Sequence, residues 1–204
     1  MKLYYAKGTI SIASAIALYE AGKEFTPRPV DFAAGEQTKP AYHAINPKGR
    51  VPVLDLDGTL LTETGAILEY IAATAPDAGL MPTDPLEAAH VRAVMYYLAS
   101  TMHPNHAHKM RGARWANEAS SHADMTAKVP ETMTACARYV EDHCLRGPLV
   151  NGAALTVADP YLFMLCHWLE GDGVDTAPFP KIRAFLAAME ERASVKSVRA
   201  AGML

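Results

Sequence analysis

The sequence predicts a small mixed α/β unit followed by a larger all-α unit. Strand and helix signals alternate only as far as about residue 75. Residues 76–85, PDAGLMPTDP, then hold three prolines and a glycine and read as a linker. Beyond that point every strong apolar pattern has helical spacing. The resulting units are 1–75, a linker at 76–85, and 86–204.

Residues 2–5 read as a first strand. From Ile10 to Ala21 the apolar residues Ile12, Ala13, Ile16 and Ala17 repeat at helical spacing, and Gly22 is placed to end the helix. The segment KEFTPRPVDF is extended. Pro27 and Pro29 cannot donate ladder bonds, so it belongs at a sheet edge. A short helix is predicted over Lys39 to Ile45, ahead of NPKG. VPVLDLDGTLLTE reads as a hairpin with Val51, Val53 and Leu54 on one arm and Leu60 and Leu61 on the other. Its turn is Asp57-Gly58, a pair that tolerates positive φ. Ile67, Leu68 and Ile71 then mark a helix over Thr62 to Ala75.

In the second unit Val91, Val94, Met95, Leu98 and Met102 form one apolar stripe. Met125 to Leu145 is a second helix, which Pro130 either kinks or begins. LTVADPYLFMLCHWL reads as a buried helix and Phe179 to Arg192 as a final amphipathic one.

Composition narrows the function classes. Half of the 204 residues are hydrophobic and a fifth are charged, which suits a packed soluble core. A net charge of −3 gives no support for a nucleic-acid or anionic-membrane surface. No apolar run has membrane-spanning length, and MKLYYAKGT has no export signal. Cys136, Cys144 and Cys166 lack the spacing of a zinc site or a disulfide framework. A cytoplasmic location is expected.

Five stretches, MKLYYAKG, IALYEAG, INPKGRVPVL, LTETGAILEYIA and LTVADPYLF, follow one another in a familiar order across nearly the whole chain. In them the sequence resembles the cytosolic glutathione S-transferase superfamily, most closely its bacterial beta-type members. The resemblance implies a thioredoxin-like N-terminal domain, an α-helical C-terminal domain and a homodimer. It also implies glutathione as co-substrate along the N-terminal domain, and a pocket for a small hydrophobic electrophile facing the helices. The implied activity is conjugation of the glutathione thiol. A glutathione-dependent isomerase, dehalogenase or peroxidase, or a non-catalytic glutathione-binding module, are the alternatives.

Glutathione is a peptide and needs a main-chain partner and charge partners. In RVPVL, a cis Val51–Pro52 bond, which the resemblance implies, would leave the Val51 main chain free to pair with an extended ligand. In TETGAIL, Glu63 and Thr64 stand where a loop enters a helix, and first-turn amides there attract a carboxylate. The resemblance assigns this pair to the γ-glutamyl end, with Glu63 for the ammonium group; without it, ordinary helix capping explains them. Gln37 and Lys48 are candidates for the glycyl carboxylate. MHPNHAHKMRG holds His103, His106 and His108, but Pro104 is expected to break the helix that would gather them, and no metal is expected. The resemblance instead makes His103 the histidine near the glutathione sulfur. Thr156 and Asp159 read as a helix-capping pair that stabilises the fold.

A thiol reacts as its thiolate, and with an ordinary pKa of about 8.5 little is ionised at neutrality. Beta-type members carry a cysteine where this chain has Ile10, whose side chain has no polar atom. Thr9, Ser11 and Tyr5 remain as candidates to stabilise the thiolate, with Lys7 acting through space. Thr9 or Ser11 as a helix cap and Tyr5 as core are the competing structural readings. Tyr96, Met102, Met110 and Trp115 are expected to shape the electrophile pocket.

Overall fold

A computed structural model describes residues 1–204. β1 (Lys2–Tyr5), β2 (Thr26–Pro29), β3 (Val53–Leu56) and β4 (Thr59–Thr62) form one sheet in the order β2-β1-β3-β4. β1 and β2 are parallel, with Tyr4 opposite Arg28, so a crossover helix must join them. That helix is α1 (Ser11–Glu20). The β1–β3 and β3–β4 pairs are antiparallel. Pro27 and Pro29 sit on β2 at the edge, where their missing N–H groups cost no ladder bond. Asp57 and Gly58 turn the hairpin at φ 52° and 101°. The hairpin's first arm starts at Val53 rather than Val51, and the Val51–Pro52 bond ahead of it is cis. With α2 (Pro40–His43) and α3 (Thr64–Ala73), this is the thioredoxin-like unit that the resemblance implies.

The rest is helical. α4 (Pro85–Tyr97) is capped by Asp84, whose Oδ1 accepts from the amides of Leu86 and Glu87, both at 2.9 Å. Val91, Val94, Met95, Leu98 and Met102 are all buried, as their spacing predicts. One expectation fails here. Pro104 does not break the chain's helical course. A π-helical turn over Leu98–Met102 leads into α5 (His103–Arg111), so Pro104 falls in the first turn of a new helical segment, where its missing N–H is harmless. His103 and His106 therefore share a helix face, with ring centroids 6.5 Å apart. No group of three or more His, Cys, Asp or Glu side chains is arranged to hold a metal ion.

α6 (Ala119–Tyr139) begins six residues before Met125 and continues through Pro130, ending in a second π-helical turn over Val140–Cys144. α7 (Ala158–His167) is buried at every residue from Ala158 to Cys166. α8 (Pro180–Glu190) is followed by α9 (Ala193–Ala200), for which the sequence reading has no counterpart. α1 packs against both α7 and α9, which explains why Ser11 to Leu18 are buried all round. One contiguous hydrophobic cluster thus runs through both units. No helix is long and apolar enough to cross a membrane.

The Asp159 carboxylate accepts from the amide of Val150 at 2.8 Å and from the amide and hydroxyl of Thr156 at 2.7 and 2.9 Å. The Thr156 hydroxyl is spent on the carboxylate, so only one half of the expected reciprocal cap forms. Burial raises the Asp159 carboxyl to about 6 against the pull of these three bonds.

Candidate functional site

A cleft between the thioredoxin-like unit and α4–α5 consists of two adjoining hollows, about 400 and about 670 Å³ in volume. Ile10, Lys48, Arg50, Val51, His103 and Arg114 line both.

The smaller hollow gathers Val51, Pro52, Glu63 and Thr64. Val51 lies outside the ladders of β3, which begin at Val53. Glu63 is the N-cap of α3 with φ 75°, and neither it nor a threonine caps the helix through its side chain. A non-glycine residue at this φ is uncommon outside turns and marks a position to inspect for function. Thr64 follows as the first helical residue, buried at 7% exposure. Lys48 pairs with Glu63 and donates to the Thr62 hydroxyl at 2.8 Å. Two residues expected at opposite ends of a bound peptide are therefore partners of each other.

The larger hollow is floored by the β1–α1 turn, with Lys7, Gly8, Thr9 and Ile10 in its wall, and Gln37 across from them. The turn is held from the helical side through both backbone groups of Gly8. Its amide donates to the Met203 carbonyl at 2.9 Å, and its carbonyl accepts from Trp168 Nε1 at 3.2 Å. Ile10, not Thr9 or Ser11, occupies the N-cap of α1, and no side chain caps that helix. The two hydroxyls do something else. Ser11 Oγ accepts from the Ala6 amide at 3.1 Å and lies 2.7 Å from Thr9 Oγ1, which in turn reaches the Ala6 carbonyl at 2.8 Å. Ser11 is fully buried. Of the three residues expected to act on a thiol, Thr9 lines the cleft; Ser11 and Tyr5 line neither hollow.

His103 lines both hollows, edge-on to Tyr161 at 6.3 Å. Burial, then the neighbouring His106 and the cations Arg114 and Arg50, push its imidazole down to about 4. With this lowered value the imidazole is neutral at pH 7. His106, one turn on, stacks on Trp168 at 4.2 Å and bonds through Nδ1 to the buried Asp172 carboxylate at 2.7 Å. Met102 is buried in the core and lines neither hollow; Tyr96 and Trp115 line the smaller and Met110 the larger.

Residues 1–73 match the family model "Glutathione S-transferase, N-terminal domain". The glutathione S-transferase GstA of Escherichia coli O157:H7 is 32% identical over 98% of both chains. The chain belongs to the glutathione S-transferase family. A crystal structure of a glutathione transferase homologue from Sulfitobacter, with bound glutathione, superposes with a TM-score of 0.98 at 62% identity, covering 100% of this chain and 98% of that one. The maleylacetoacetate isomerase of Rhizobium meliloti is 34% identical over 88% of this chain and 86% of its own.

In this family member Arg50, Arg111, Arg114, His106 and Trp168 are cleft residues that the sequence does not single out as such. A signal for several of them existed. His103, Ala107, Met110, Arg111 and Arg114 recur at spacings of three and four from the expected histidine, but reading Pro104 as a break hid that face.

Proposed function

We propose that this protein binds glutathione in the cleft and joins its deprotonated thiol sulfur to a small electrophile. The observation that carries this is the convergence of Val51, Glu63, Thr64 and Thr9 on one continuous cleft. The ligand's peptide group pairs with the Val51 main chain. Its γ-glutamyl carboxylate takes the first turn of α3 with Thr64, and its ammonium takes Glu63. Lys48 and Gln37 serve the glycyl end. Gln37 Oε1, a buried oxygen with no partner in the chain, is an acceptor and so suits the ligand's glycyl N–H rather than its carboxylate.

Thr9 is the thiol partner. Each hydroxyl has one hydrogen. With Ser11 donating to Thr9, the Thr9 hydrogen is free to leave the Ala6 carbonyl and turn to the sulfur. Ser11 is then a support for Thr9, and Tyr5 has no part. Neutral His103 adds a second hydrogen bond. The working unit is a homodimer in the cytoplasm, as the family membership suggests.

A second reading, a glutathione-dependent isomerase, is supported by the isomerase relative and by the cations in the larger hollow. The test is glutathione affinity together with conjugation over an electrophile panel and isomerisation of a cis-enedioate. Absence of glutathione binding refutes both readings. Binding with conjugation supports the first; binding with isomerisation alone supports the second.

A further inference from the structure

The larger hollow carries an unbalanced charge. Its wall holds Lys7, Lys48, Arg50, Arg111 and Arg114 and no aspartate or glutamate, although the whole chain has a net charge of −3. Of these five, only Lys48 has a carboxylate partner, Glu63. Outside the cleft Arg92, Arg146, Arg192 and Arg199 each pair with a glutamate and Arg28, Arg138 and Arg183 do not, so what sets the cleft apart is the gathering of its cations on one wall. The arginines of the cleft come from separate places: Arg50 from the loop before β3, Arg111 from the end of α5, and Arg114 from the 3₁₀ turn that follows. Partial burial, then the charges of Arg50 and Arg111, hold the Arg114 guanidinium below its ordinary value. Arg114 thus feels the charge of both Arg50 and Arg111, and all three line the same hollow.

Gathering like charges without a counter-charge destabilises the folded chain. An anion seated among them reverses that penalty, and guanidinium groups match carboxylates in a two-bond geometry. Glutathione does not account for all of them. In the reading above, its carboxylates go to the first turn of α3 and to the Lys48–Gln37 side. Arg111 and Arg114 stand on the helical wall, beside Ala107 and Met110.

We propose that Arg111 and Arg114, together with Arg50, form an anion subsite for the second substrate. The preferred electrophile then has a small apolar body, packed against Met110, and a carboxylate or similar oxyanion end. This rests on the glutathione-binding reading and changes its substrate class from neutral hydrophobic compounds to acidic ones.

The test compares two probes that differ in one charge, 4-chloro-3-nitrobenzoate and its methyl ester. Each is titrated by calorimetry into the full chain saturated with unreactive S-methylglutathione. The acid is expected to bind at least about tenfold more tightly than the ester, with the preference shrinking as salt is raised. In the double variant Arg111→Gln, Arg114→Gln the ratio should fall to near one. In Arg111→Lys, Arg114→Lys, which keeps the charge, a preference should remain. A melting curve for each variant separates lost binding from lost fold. Equal or tighter binding of the ester, no detectable binding of the acid, or an unchanged ratio in the glutamine variant would overturn the subsite. If S-methylglutathione itself fails to bind, the glutathione reading falls, and the same acid–ester pair titrated into the free protein still decides whether the anion subsite exists.

Discussion

The hydroxyls of Thr9 and Ser11 lie 2.7 Å apart, yet only Thr9 reaches the cleft. Ser11 is buried against the Ala6 amide. Removing it strands that amide, so Ser11→Ala should cost about 1–3 kcal/mol of stability, seen as a lower denaturant midpoint. Thr9→Ala should leave the midpoint nearly unchanged and raise the pKa of glutathione bound in the cleft, followed by thiolate absorbance. Thr9→Ser should restore it. A Thr9→Ala protein with an unchanged thiol pKa would sink the role given to Thr9.

Asp159 serves three buried donors at once. Asp159→Ala leaves the Val150 and Thr156 amides unpaired in the core, a larger loss than one helix cap. We expect about 3 kcal/mol or more of destabilisation. The fraction that folds should bind glutathione with ordinary affinity. An unchanged melting temperature would contradict this assignment.

His103 makes stability depend on pH. Its folded pKa of about 4 lies below the unfolded value of about 6.5. Between these values the unfolded chain binds more protons than the folded one, so stability falls as pH drops from about 6.5 toward 4. Asp159, with its raised carboxyl, acts in the opposite direction over much of this window. The His103 contribution is therefore read as a difference: His103→Gln should lose less stability than the parent chain between pH 7 and pH 4.5.

The Lys48–Glu63 pair separates stability from binding. Both side chains are largely exposed, so Lys48→Ala should change stability by no more than about 1 kcal/mol. Glu63 holds φ 75°, a conformation glycine adopts without strain. Glu63→Gly should keep or raise the melting temperature while weakening glutathione binding severalfold. A variant that loses both together would show Glu63 to be a structural residue.

How much of this was legible in the sequence differs between the two units. Alternation, the Asp57-Gly58 turn and the edge prolines are local signals, and they place all four strands. The Glu63–Thr64 and Val51–Pro52 pairs lie in the cleft, as the resemblance implies. What escaped depends on distant contacts. The π-helical turn at Leu98–Met102 resets the helix just before Pro104, which no local rule anticipates. α9 is short and carries no distinctive sequence signal, so neither its packing on α1 nor the bond from Gly8 to Met203 is visible in the sequence. Thr9 and Ser11 look alike in a one-dimensional reading; only the burial created by α7 and α9 around α1 tells them apart. The resemblance implies a hydrophobic electrophile, and of the side chains expected to shape its pocket, Tyr96, Met110 and Trp115 line the cleft while Met102 does not; arginines at the end of a polar helix look in sequence like ordinary solvated charge.

The indole of Trp168 lies face to face with His106 and is bonded to Gly8, and the chain's other tryptophan, Trp115, lines the opposite hollow. The molecule's tryptophan emission, excited apart from that of its tyrosines, therefore originates at the cleft. Occupancy of either hollow can be followed optically on the unlabelled protein, one tryptophan at a time after Trp115→Phe or Trp168→Phe.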